Sequence, residues 1–211
     1  RKIDFSLVII CVSGFSSVII QCIFVREFLA VFSGNELILG IILSIWLLFC
    51  GIGSYIGNKK QFWHHSLYVW CLFCFAVLGF FLIRFFPIFL EPGSVISNRG
   101  IIYIILGAEG PVSFLSGYVF GYLSKISSKG SFIYRLENLG ALLGSAVIYI
   151  LILFNIKNSI FLIMAILPIP FLFLMRNANR NIKINPVKIT VASIPLFLLL
   201  FIILFFDQNT A

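Results

Sequence analysis

The sequence predicts an all-α integral membrane protein, a bundle of about seven transmembrane helices. Three observations carry that reading. The 211 residues are 61% hydrophobic and only 10% charged, with mean hydropathy +1.14, whereas soluble domains carry about 25% charged residues. Apolar runs long enough to cross a bilayer recur between short polar loops, and a run of about 18 residues or more reads as a transmembrane helix. The runs are continuous and lack the alternation of a membrane barrel. Backbone groups in lipid must be satisfied within their own segment, which leaves helices.

The expected spans are 5–25, 37–57, 67–90, 101–123, 136–154, 158–175 and 189–206, in one polytopic domain over 1–211. The first carries Ser13, Ser17 and Gln21 at i, i+4 and i+8, a polar stripe expected to face the bundle. It ends at Arg26 and Glu27. Two readings stand there: an interfacial Arg that snorkels beside a carboxylate, or the charged floor of a cavity between the first two spans. Residues 28–32 read as a re-entrant or interfacial turn. Ser33-x-x-Glu36 is a capping box ahead of the second span, and Trp63 marks its far interface. The third, sixth and seventh spans, nearly all Phe, Ile and Leu, look like lipid-facing walls. Pro168, Pro170 and Pro195 fit kinks or breaks near loops.

The fourth span holds Gly107-Ala108-Glu109-Gly110-Pro111, where two glycines and a proline predict a local helix break. Glu137 and Asn138 open the fifth span, where a carboxylate suits the positive end of the helix dipole. Gly53 and Gly57, Gly117 and Gly121, and Gly140 and Gly144 each form G-x-x-x-G. That spacing lets two backbones approach, and packing is the main glue between helices in lipid.

The net charge of +8 belongs to topology and not to nucleic acid, because Lys and Arg gather in cytoplasmic loops. With seven spans, eleven of the fifteen basic residues fall on the side of the N-terminus and four on the other. The N-terminus is therefore expected in the cytoplasm and the C-terminus outside. Cys11, Cys22, Cys50, Cys71 and Cys74 all lie in apolar spans and read as small hydrophobes. Cys71-x-x-Cys74 has no second pair, and His64 and His65 are an interfacial pair, so no metal site is expected. No phosphate-binding loop, dinucleotide fingerprint or nucleophile–base set is present, so no cofactor is expected, and an intramembrane enzyme ranks below the other readings for lack of a nucleophile and base.

The candidate intramembrane polar site is Glu109, Arg26, Glu27, Gln21 and Glu137. Glu109 is its sharpest member, because an ionised carboxylate at mid-bilayer costs about 2.5–3.5 kcal/mol on insertion scales. It reads as a functional group in a wet cavity, as half of an ion pair with Arg84 or Arg26, or as an interfacial residue if the span is drawn wrongly.

Three stretches resemble the membrane-integral relatives of spermidine synthase, bacterial proteins with a multi-span domain ahead of an aminopropyltransferase-like domain. The first holds Ser13-Gly14-Phe15, Gln21, Arg26-Glu27-Phe28, Gly34-Asn35-Glu36-Leu37, Gly40 and Gly51-x-Gly53-Ser54. The second is PVSFLSGYVFG from Pro111 to Gly121, with Gly121 where the family is expected to have proline. The third is Tyr134-x-x-Glu137-x-x-Gly140-Ala141-x-x-Gly144. The resemblance implies a bacterial cytoplasmic membrane and a soluble domain following the last span, in the same chain or as a separate subunit. None of the family's aminopropyl-transfer residues is in this sequence, so that activity is not carried over. Seven spans would place such a domain outside the cell, so either its chemistry is lost or the span count is off by one. The expected function is a membrane-embedded domain that anchors or positions a soluble domain or partner. The alternative is a transporter or channel for a small polar or cationic solute, with the intramembrane carboxylates lining its path.

Overall fold

A computed structural model of the chain describes residues 2–32, 36–59, 65–89, 98–126 and 130–153. They form five α-helices: α1 (Lys2–Val31), α2 (Glu36–Lys59), α3 (His65–Phe85), α4 (Asn98–Ile126) and α5 (Gly130–Leu153), with a 3₁₀ turn at Phe86–Phe89 after α3. No strand occurs among them. Three stretches are long and apolar enough to cross a membrane: Ile10–Val31, Glu36–Lys59 and Arg99–Lys125. The described residues thus carry three such spans, not seven. The segments 158–175 and 189–206 lie outside them. In α3 the apolar stretch is shorter, Cys74–Phe85.

Helix ends differ from expectation in three places, each for a local reason. α1 runs on through Arg26 and Glu27 to Val31, because Arg, Glu, Leu and Ala are strong helix formers. Residues 28–32 are therefore no re-entrant turn, and the Phe32 amide donates to the Phe28 carbonyl at 2.9 Å. α4 is unbroken through Gly110 and Pro111. Proline forfeits one i→i−4 bond, while a break in an apolar medium would strand several backbone groups. α5 begins at Gly130, so Glu137 lies two turns inside it and is no first-turn residue.

The chain divides after Gly144 into two compact units. Of the second, the described part is 145–153, the end of α5, with Tyr149, Ile150, Ile152 and Leu153 exposed. The first unit is built on close backbone crossings. An added Cβ would clash with a facing carbonyl oxygen at each of four glycines: Gly117 with that of Cys50, Gly121 with that of Ser54, Gly53 with that of Phe114 and Gly57 with that of Tyr118. Pairing advances together along both chains, so α2 and α4 are parallel. They share the most extensive contact in the unit.

The same contact pattern recurs between α1 and the part of α5 up to Gly144. There Gly140 meets the Cys11 carbonyl, Gly144 meets the Phe15 carbonyl at 2.7 Å, and Gly14 meets the Glu137 carbonyl. In both pairs the first helix contributes residues at i, i+3 and i+4, and the second at j, j+3 and j+7. The α1–α4 contact runs the other way. Ser17 meets Ser116, while Phe24 and the Ala108 carbonyl meet at Gly79, at 2.7 and 3.0 Å from its Cβ position. The two parallel pairs are therefore antiparallel to each other.

α3 is not a plain lipid-facing wall. Leu72, Ala76, Phe80 and Ile83 are buried at helical spacing, and the helix packs on α1 and α4. Its opposite side, with Phe75, Leu78, Leu82 and Phe85, is exposed.

Candidate functional site

α4 packs against α1, α2 and α3, and it carries polar residues on one face. Glu109, Ser113 and Ser116 fall at i, i+4 and i+7, so they stack on that face. All three are buried, with Glu109 only 1% exposed. Glu109 lies ten positions along α4 from Arg99, about 15 Å at the helical rise. Glu109 Oε1 accepts a hydrogen bond from Ser113 Oγ at 3.2 Å. Its other oxygen, Oε2, is buried with no hydrogen-bond partner among the described residues. The ion-pair reading is not met among the described residues, where the partner of Glu109 is the Ser113 hydroxyl.

The neighbouring helices extend this polar seam. Ser116 Oγ donates to Ser17 Oγ of α1 at 2.9 Å. Ser13 and Ser16 are buried beside it on α1, and Ser16 Oγ has no hydrogen-bond partner. On α2, Cys50 Sγ donates to the Ser113 carbonyl at 3.2 Å. Cys50 lies within electrostatic reach of both Glu137 and Glu109. Phe49 closes the site on the other side, its ring 3.5 Å from the Cβ position of Gly110.

The five expected site residues are thus not one constellation. Glu109 is central. Glu137 is half-buried at the α1–α5 crossing, where its backbone meets Gly14. Glu27 is buried near the end of α1 and engaged in an interaction there. Gln21 is half-buried, at the margin of the stripe that Ser13, Ser16 and Ser17 centre. Arg26 is exposed. The residues that sequence reasoning passed over are Ser16, Ser113, Ser116, Cys50 and Gly79. The i, i+4, i+7 spacing from Glu109 was a usable signal for the two serines of α4. The six expected packing glycines all lie at helix crossings, and Gly14 joins them.

What the arrangement can do is limited and specific. A carboxylate oxygen with an open side can accept one more hydrogen bond, or donate one when protonated. Among the described residues no three His, Cys, Asp or Glu side chains gather to hold a metal ion. The five cysteines are free thiols. Comparison with protein-family models, with curated proteins and with solved structures finds no match.

Proposed function

We propose that this chain is a membrane-embedded helical module that anchors or positions a soluble domain or partner protein, like the transmembrane part of the spermidine synthase-like proteins. The observation that supports this is the repeated crossing of helices backbone against backbone. Glycine crossings at α2–α4 and α1–α5 favour a fixed frame, since no side chain lies between the helices to repack. A frame of this kind suits a module that holds something in place.

A second reading, transport of a small polar or cationic solute, draws on one observation: the buried, unpaired Oε2 of Glu109. Intramembrane ionisable residues are functional candidates by default. Uptake into proteoliposomes separates the two. Under the anchoring reading, wild type and Glu109→Gln pass protons, alkali cations and spermidine no faster than protein-free liposomes. Flux in the wild type that falls in Glu109→Gln would favour transport instead.

The orientation belongs to the same proposal: N-terminus in the cytoplasm, with the ends of α2 and α4 that carry Lys59 and Lys125 on that side. Two further spans at 158–175 and 189–206 would bring the C-terminus outside. In a cysteine-free background, a single cysteine at Ser128 should label only from the cytoplasmic side and one at Ser97 only from outside. The reverse pattern overturns the assignment.

A further inference from the structure

The outer face of α2 carries an apolar groove that ends in paired cations. Leu47, Leu48, Gly51, Ile52, Tyr55 and Ile56 line a groove of about 660 Å³. Gly51 makes its floor, with no atom within 4 Å of its Cβ position. Leu47, Leu48 and Tyr55 form rims that are about 60% exposed. One turn beyond Tyr55 the helix ends at Lys59. Its Nζ lies over the Tyr55 ring, 4.2 Å from the centroid, and donates to the Tyr55 hydroxyl. Lys125, at the end of the parallel α4, donates through Nζ to the Lys59 carbonyl at 3.4 Å.

Two ammonium groups are thereby gathered at the mouth of one groove. Neither has a carboxylate partner among the described residues, and both are exposed. Like charges repel unless something negative joins them, and here the backbone carbonyl of Lys59 and the Tyr55 ring hold them together. We propose that this is a binding site for a phospholipid with a net-negative headgroup. Its acyl chain lies along Gly51 and its phosphate bridges Lys59, Lys125 and the Tyr55 hydroxyl. The occupant follows from complementarity. An apolar slot continuous with the hydrocarbon layer takes a chain, and basic groups at the end of a membrane helix attract anionic headgroups. A zwitterionic lipid offers the same chain but brings its own cation to the two lysines.

The test uses the full chain reconstituted in nanodiscs of equimolar phosphatidylglycerol and phosphatidylcholine. Lipid retained after extraction is counted by native mass spectrometry. The wild type should retain phosphatidylglycerol at least about fivefold over its share, and the enrichment should fall at high salt, which screens exposed charge. Lys59→Gln with Lys125→Gln should bring retention to the bulk ratio without loss of fold, since both side chains are exposed. Gly51→Leu, which fills the slot, should lower retention of both lipids. Equal retention of the two lipids by the wild type overturns the proposal. So does unchanged enrichment in the double lysine variant, or an unchanged amount of retained lipid in Gly51→Leu.

Discussion

Gly117→Ala is the sharpest test of how the first unit is held together. The new Cβ would fall on the carbonyl oxygen of Cys50, with the carbonyl carbon and Cα of that residue each 2.7 Å away. These are backbone atoms of a neighbouring helix, so no rotamer relieves the clash. Ordinary contact begins near 3.4 Å, and α2 and α4 would have to part by roughly 1 Å, about the deficit that overpacking studies price at 1–3 kcal/mol. Parting them also weakens the Cα–H···O contacts at Gly117 and Gly121, about 0.5–1 kcal/mol each. The expected loss is therefore about 2–5 kcal/mol. It can be read from reversible unfolding in mixed micelles titrated with a denaturing detergent. Gly40→Ala is the control, because nothing lies within 4 Å of its Cβ position. Alanine there should be neutral or stabilising by up to about 1 kcal/mol. If Gly117→Ala unfolds within about 0.5 kcal/mol of Gly40→Ala, the close-crossing account of α2–α4 is wrong.

Two further substitutions probe the other contacts of α4. Gly79→Ala should cost less than Gly117→Ala, about 1 kcal/mol, since the nearest atom is the tip of the Phe24 ring, which can swing, although the Ala108 carbonyl at 3.0 Å limits the relief; equal losses in the same unfolding assay would show that Phe24 is locked. Glu109→Gln keeps an acceptor for Ser113 but sets a buried amide NH2 where Oε2 has no partner, so it should cost about 1–3 kcal/mol in the same assay, and an unchanged stability would mean that a hydrogen-bond acceptor lies beside Oε2.

Much of the fold was legible because lipid imposes simple rules. Helices α1 to α5 all begin within about six residues of where the apolar runs placed them, since runs of Phe, Ile and Leu have one way to satisfy their backbone in hydrocarbon. The ends were less legible. Arg26 and Glu27 look like a boundary to hydropathy but are good helix formers, and Gly110-Pro111 looks like a break although a membrane helix tolerates it. The glycines at 53, 57, 117, 121, 140 and 144 stood out by spacing alone. Which helix each would meet did not, because pairing depends on how the helices are threaded, and period says nothing about that. The site was half legible. Glu109 declared itself by its charge at mid-span. Ser16, Ser113 and Ser116 did not, because serine is common in membrane helices and only the partner helix distinguishes a seam from a scatter. Gly79 hid in a run of Phe and Leu that read as featureless.

The seam between the two parallel pairs is chemically unlike the pairs themselves. Inside α2–α4 and α1–α5 the contact is glycine against carbonyl, and one added carbon must move a backbone. Between α1 and α4 the contact is hydroxyl against hydroxyl, Ser116 on Ser17, beside a buried Ser16 and two helical turns, about 10 Å, along α4 from Glu109. Hydroxyls can exchange partners by rotating about χ1, so this interface can rearrange without separating helices. A double-mutant cycle on Ser17→Ala and Ser116→Ala measures the difference. Interhelical hydrogen bonds in membranes average about 0.6 kcal/mol of coupling and reach about 1.7. The coupling here should fall in that range, well below the loss expected at Gly117. A coupling of 3 kcal/mol or more would mean that the α1–α4 seam is as rigid as the glycine crossings, and the first unit would then be one frame and not two pairs joined by a softer polar contact.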